Sequence, residues 1–442
     1  MKQDVVYPVR AAVFGLALMA ISGVARADDG DAPLVPEDWS IHAQTTFIEQ
    51  GNLRFTSPYR GTNSLDPAPR GRESWTGTLY LGRRLPWQGG ELYFNPEFNQ
   101  GFGLSRTEGV AGYVNGEAQK GGFDNPKANV ARLFVRQTFG LGGDEEDIAP
   151  AANQLATRQA INRITVTAGK LSVTDLFDTN DYANDPRTDF MNGSIWIAGA
   201  WDYPGDAKGY TDGIAIEWNH PSWALRAGQF LEPKIANNRD LEPRFWHSFG
   251  WVAELENRYS IAGAPGILRT LVFANRAPMG SNDQAAANGG NIVVTRRSRW
   301  KPGFALDAQQ VIVGDLAAFG RFSLSNGHSE SWAFEDIDQS TSLGLSLKGT
   351  SWSRPHDTVG LGVAQNELTQ QHRSYFAVGG LGILVGDGKL SYAPERILET
   401  YYRAQIFDTV SLSVDYQFVA NPAYNAARGP VSIFAGRLHI EY

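Results

Sequence analysis

A period-two alternation recurs from Pro36 to the last residue, and it limits what this chain can fold into more than any single motif does. Near the end, Val410, Leu412, Val414, Tyr416 and Phe418 stand on one face, with Ser411, Ser413, Asp415 and Gln417 on the other. The closing segment sets Phe434, Gly436, Leu438, Ile440 and Tyr442 against Arg437, His439 and Glu441. Successive side chains of a strand point to opposite faces, so these segments predict strands with one apolar and one polar wall. The same rhythm holds earlier. Leu92, Phe94, Pro96 and Phe98 alternate with Glu91, Tyr93, Asn95 and Glu97; Ala131, Leu133 and Val135 with Arg132, Phe134 and Arg136; Ile214, Ile216 and Trp218 with Ala215 and Glu217; Trp223, Leu225 and Ala227 with Ala224 and Arg226.

A soluble sandwich alternates too, so the period alone leaves sandwich and barrel open. Three features select the barrel. Aromatics gather at expected strand ends, as in Trp218 and Trp223 around NHPS, Phe245, Trp246 and Trp251, and Tyr401 with Tyr402, which suits the interfacial girdles of a lipid-facing wall. Connections differ sharply: NHPS, VGD and FD are tight, whereas 50–74, 100–128, 231–244 and 327–340 are long and polar. The last residue, Tyr442, is aromatic and belongs to the outward face of the last strand. The fold expected is all-β, a transmembrane antiparallel barrel of roughly 16 to 18 strands with long external loops, because backbone groups in lipid must all be paired. A forward count from Trp39 places NHPS outside, which conflicts with its tightness and marks a miscounted element between Gly140 and Asn192. The stretch GGLGILVGDGKL (379–390) does not alternate, and its glycines suit a loop folded into the lumen.

Export is written at the amino terminus. Lys2 and Arg10 precede a short apolar run, 11–24, and Ala25-Arg26-Ala27 is a cleavage site of the A-x-A kind, so residues 1–27 read as a secretory signal. Residues 28–38 follow as a flexible acidic segment, and 39–442 as the barrel. No stretch beyond the signal approaches the roughly 20 apolar residues of a spanning helix. The formal charge of −8 disfavours nucleic acid as a partner.

Chemistry of the catalytic kind finds little support. The chain has no Cys, and it lacks G-x-S-x-G, H-E-x-x-H and P-loop signatures. His42, His220, His247, His328, His356, His372 and His439 are scattered without metal-ligand spacing. Glu145 and Glu146 within DEED read as solvated charge. The densest acidic segment, DLFDTNDYANDPRTDF (175–190), could gather Asp178, Asp181 and Asp185 around calcium, although it lacks the glycine of a standard calcium loop; an Asx-turn-rich loop is the alternative. No cofactor is expected, and the chain reads as a non-enzyme.

Charge on the polar faces is more informative. Arg132, Arg136, Arg226, Arg403 and Arg437 fall there with Glu217, Glu254, Glu399, Asp415 and Gln417, and guanidinium forks alternating with carboxylates can satisfy the hydroxyls of a sugar. These ten are the expected pore-lining residues, with Glu399, Arg403, Asp415 and Arg437 foremost. Ordinary ion pairs filling a wet lumen are the competing explanation for each.

Several long segments resemble the carbohydrate-selective, OprB-type porins: GKLSVTDLFDTNDYANDPRTDFMN (169–192), GAWDYPGDAKGYTDG (199–213), LAAFGRFSLSNG (316–327), SWSRPHDTVGLGVAQN (351–366), 379–402 and 415–442. The resemblance implies a sixteen-stranded barrel of a Gram-negative outer membrane, with short periplasmic helical additions, that passes monosaccharides such as glucose by facilitated diffusion. Its partners would be the carbohydrate, the membrane lipid and, where protomers associate, further copies of itself. Two other readings compete: a general diffusion porin or structural barrel without sugar selectivity, and an outer-membrane enzyme.

Overall fold

The computed structural model describes residues 34–118 and 121–442. The expected signal segment lies outside the described residues. From β1 (Trp39–Asn52) the chain runs through β2 (Arg70–Arg84), β3 (Gly90–Gly101) and β4 (Phe123–Gly140). A separate two-stranded ribbon follows, β5 (Glu145–Ile148) with β6 (Thr157–Ala160). Then come β7 (Arg163–Leu171), β8 (Thr211–His220), β9 (Trp223–Leu231), β10 (Phe249–Ile261), β11 (Ala264–Ala277) and β12 (Arg299–Val313). The last six are β13 (Leu316–Ser325), β14 (Gln339–Gly349), β15 (Arg354–Glu367), β16 (Glu395–Phe407), β17 (Val410–Ala420) and β18 (Val431–Glu441).

Leaving the ribbon aside, the strands form one closed antiparallel barrel of 16, with β18 returning to pair with β1 at Thr46↔His439 and its neighbours. Closure leaves no edge strand, so the ladders satisfy their backbone groups internally, as a hydrocarbon surround demands. The alternation sorts side chains as the sequence predicts. Leu343, Val414 and Phe434 are 59%, 66% and 51% exposed on the outer wall, while Asn95, Glu399 and Gln417 are fully buried inside. Such a surface is costly in water and favourable in lipid.

Connections after β1, β3, β7, β9, β11, β13, β15 and β17 are long and share one end; those after β2, β8, β10, β12, β14 and β16 are turns of a few residues at the other. In outer-membrane barrels the short turns face the periplasm. Three short helices, α1 (Gly193–Trp196), α2 (Asn282–Ala287) and α3 (Gln370–Ala377), lie in long connections.

Several expectations need correction. NHPS is a short-end turn, because Gly140 to Thr211 contributes a single barrel strand, β7, plus the β5–β6 ribbon that stands outside the barrel. The addition at the short-turn end is therefore a ribbon and not a helix, held by Arg158 reaching across to Glu145 at 3.2 Å and Asp147 at 3.8 Å. The loops expected at 50–74 and 100–128 are shorter, since β1 and β2 pair out to Asn52↔Arg70 and β4 begins at Phe123. Tyr401 does not belong to a girdle. It faces inward, 2% exposed, edge-on to Phe190 with ring centres 5.0 Å apart, while Tyr402 takes the opposite face. Gly360 makes room for that ring: a Cβ there would come within 2.2 Å of it. The stretch 379–390 forms no strand and packs among the other long connections, with Val385 fully buried.

Candidate functional site

The connection between β7 and β8, residues 172–210, decides the shape of the lumen. It carries mostly short polar and aromatic residues, and the polar ones are spent on the inward faces of β10 to β18. Arg321 of β13 is the centre. Its guanidinium, 1% exposed, donates from Nε to Asp178 Oδ1 at 3.0 Å, from Nη2 to the Asp178 carbonyl at 3.1 Å and from Nη1 to the Ile195 carbonyl at 2.8 Å. Asp307 of β12 stands 3.0 Å from the same Nε and accepts from Asn180 Nδ2 at 2.8 Å. Glu254 accepts from the Asp178 N–H at 2.7 Å, and Glu399 from those of Met191 and Asn192 at 2.5 and 3.0 Å. Arg437 donates to the carbonyls of Pro186 and Asp189 at 2.9 and 2.6 Å. An apolar contact completes the attachment: Phe177 meets Phe230 edge-on at 6.0 Å. Gly213 and Gly228 make space for Phe230, where Cβ atoms would approach its ring within 2.4 and 2.6 Å.

With that half filled, three cavities run along the opposite wall, and β4 touches each of them. Asp124, Arg132 and Arg136 mark three cavities in order from the long-loop end. At about 3.3 Å per residue the first two marks are about 26 Å apart and the last two about 13 Å. The outer cavity, about 630 Å³, carries Arg60, Arg70, Arg72 and Arg106 against Asp66 and Glu73. The middle one, about 110 Å³, is the smallest of the three and is walled by Arg132, Asp175, Asp185, Arg187, Trp196 and Tyr210. The inner one, about 190 Å³, takes Glu91, Arg136, Arg163, Glu217 and Arg226.

The middle cavity is built from paired charges beside rings. Arg132 grips Asp175 with Nε at 2.6 Å and Nη2 at 2.5 Å, and its guanidinium lies 5.4 Å from the centre of the Tyr210 ring. Arg187 grips Asp185 at 2.8 and 2.7 Å and donates to Tyr80 at 2.9 Å. Burial pushes the Asp185 carboxyl up, but the Arg187 charge outweighs it and holds the group well below the usual carboxylate range. Asp189, next to the wall, is the reverse: burial raises it to about 6, against the restraint of Arg403 and Arg437. Pairs of this kind present both donors and acceptors at fixed spacing while carrying little net charge.

All ten residues expected on the lumen wall face inward, and the structure divides them by task. Arg132, Arg136, Glu217 and Arg226 line the cavities. Glu254, Glu399, Gln417 and Arg437 hold the 172–210 connection instead, Gln417 through Asn192 at 3.2 Å. Arg403 donates to Thr358 at 3.3 Å and Asp415 accepts from Gln417 at 3.5 Å, both away from the three cavities. Asp178, Asp181 and Asp185 take separate partners, Arg321, Gln309 and Arg187. Among the described residues no group of three or more His, Asp or Glu is placed to hold a metal ion. Arg187, Trp196 and Tyr210 carry no sequence signal of their place in the cavity, since they lie on a connection with no period to assign a face.

A closed barrel with a lipid-matched exterior, a polar lumen and an inward connection that narrows it defines a diffusion channel of the outer membrane. The match to the family model described as "Carbohydrate-selective porin, OprB family" spans residues 62–442, and the chain belongs to that family. Among solved structures, the chain is similar to OprB of Pseudomonas putida at high pH, with a TM-score of 0.70 at 16% identity, over 92% of this chain and 94% of that one. The outer membrane channel DcaP of Acinetobacter baumannii follows with a TM-score of 0.53 at 9% identity, over 92% and 97%. At these identities the likeness concerns the fold. A comparison with curated proteins returned no match.

Proposed function

We propose that the chain admits small saccharides, monosaccharides foremost, to the periplasm by facilitated diffusion along the β4 wall, and that it acts as a channel and not as an enzyme. The observation that carries this reading is the middle cavity, where two guanidinium–carboxylate pairs stand beside Trp196 and Tyr210. A pyranose needs a partner for each hydroxyl it withdraws from water and an apolar surface for its ring face, and this wall offers both. The charged groups are already satisfied by one another, so a neutral sugar gains only the surplus of their hydrogen-bonding capacity. Such weak binding suits conduction, which requires that the solute leave as readily as it enters.

Swelling of liposomes holding the purified protein tests it. Glucose is expected to enter faster than a non-saccharide solute of equal size, and rates should fall from mono- to tri-saccharide. Rates set by size alone would return the chain to a general diffusion porin.

A further inference from the structure

The inner cavity has a floor that the barrel does not supply. Between β5 and β6 the chain turns back into the short-turn mouth, and its tip is fastened there at several points. The Leu155 N–H donates to Tyr93 Oη at 3.2 Å, Arg136 donates to the Asn153 carbonyl at 3.0 Å, and Asn95 donates to Asn153 Oδ1 at 2.8 Å. Glu37, ahead of β1, brackets Ala156: its carboxylate accepts from the Ala156 N–H at 2.9 Å, and its own N–H donates to the Ala156 carbonyl at 2.9 Å. Leu155 ends 1% exposed at the foot of the chamber. Leu176 and Phe177 of the narrowing connection close it from above.

The walls of this chamber carry several polar side chains that the protein leaves unengaged. Among the described residues, the side chains of Thr138, Thr165 and Gln159 line it with no hydrogen-bond partner in the protein. They stand beside the Glu217–Arg226 and Glu91–Arg136 pairs, at 2.5 and 3.7 Å, and Leu176 adds an apolar surface. The chamber's volume of about 190 Å³ lies below the range of drug-sized sites, about 300 to 1,000 Å³, and suits a single ring.

We infer that the chamber is a second saccharide site, on the periplasmic side of the narrowing, and that residues 149–157 are its exit filter. This rests on the sugar-channel reading above. A neutral monosaccharide would rest there on the unengaged hydroxyl and amide groups before leaving past Leu155.

The absence of Cys from the chain makes the test direct. Gln159→Cys places a single thiol in the chamber, and Arg158→Cys places one on the neighbouring residue, whose side chain is 65% exposed. Each variant, confirmed as folded by its heat-sensitive gel mobility, is labelled with a methanethiosulfonate reagent with and without glucose. At a sugar concentration about ten times that giving half-block of wild-type current, mass action leaves about a tenth of the sites empty, so labelling at 159 slows about tenfold. Labelling at 158 is expected to be unchanged. Equal rates at 159 with and without a sugar that blocks the wild-type current would overturn the chamber site and leave the channel reading standing. Absence of block in the wild type would overturn both.

Discussion

Arg321 joins two points of the narrowing connection to the barrel, and its replacement by Met separates the connection's attachment from the barrel's own stability. Met has similar reach and no donor. The carbonyls of Asp178 and Ile195 lose their partners at about 1–3 kcal/mol each, and the buried Asp178 carboxylate loses its counter-charge at about 3–5 kcal/mol, so the attachment weakens by about 5–11 kcal/mol. Even the lower figure shifts the attached-to-detached ratio by more than about a thousandfold. The ladder around position 321 is backbone pairing, with Asp307 on one side and Ser342 on the other, and it does not depend on the side chain. Arg321→Met should therefore fold and insert, keep its heat-sensitive mobility on a gel, and show larger, noisier single-channel steps with weakened sugar block. Arg321→Lys, which keeps the charge without the fork, should fall between. A Met variant with wild-type conductance and wild-type block would refute the claim that this attachment holds the lumen narrow.

Three further outcomes follow from particular contacts. Arg132→Ala removes a charge-assisted donor from the middle cavity, worth about 1.5–3 kcal/mol, and should raise the half-blocking sugar concentration by about ten- to a hundredfold; an unchanged titration would remove Arg132 from the path. The carboxyl of Asp189 is raised from 3.8 to about 6, so its contribution to stability is full below pH 3.8 and is lost as the pH climbs through 6. In Asp189→Asn the temperature of heat-induced unfolding should fall less between pH 4 and 7 than in the wild type, and parallel slopes would contradict the shift. Val414→Arg, on the lipid face, should cost about 2–4 kcal/mol and lower the folded fraction recovered in liposomes, whereas recovery equal to the wild type would argue against the membrane placement of β17.

The barrel is legible in the sequence because period two assigns a face to every residue of a strand once one face is known. Parity alone therefore places Arg132, Arg136, Glu217 and Arg226 in the lumen. Facing inward, however, does not distinguish a residue that meets solute from one that holds a loop. Glu399 and Arg437 look alike in sequence to Arg132, and only the loop seated on them gives them a different task. The acidic run at 175–190 suggests calcium for the same reason: local density of carboxylates is visible in a sequence, but their counter-charges are not. Asp178 finds Arg321 across 143 positions, and Met191 finds Glu399 across 208. Tyr401 and Tyr402 look like one girdle in sequence, yet neighbouring strand residues must face opposite ways. The β5–β6 ribbon leaves no sequence trace because its two strands are of four residues each, too short for alternation to register.

The proposed function turns on one event, the lingering of a saccharide in the narrow part of the lumen as it crosses. Single-channel current of the wild-type protein in a planar bilayer, titrated with glucose, reads that event without any substitution. Graded, saturable interruption of the current by glucose in the millimolar range is the expected outcome. Steps of steady amplitude that glucose and disaccharides leave untouched would contradict it.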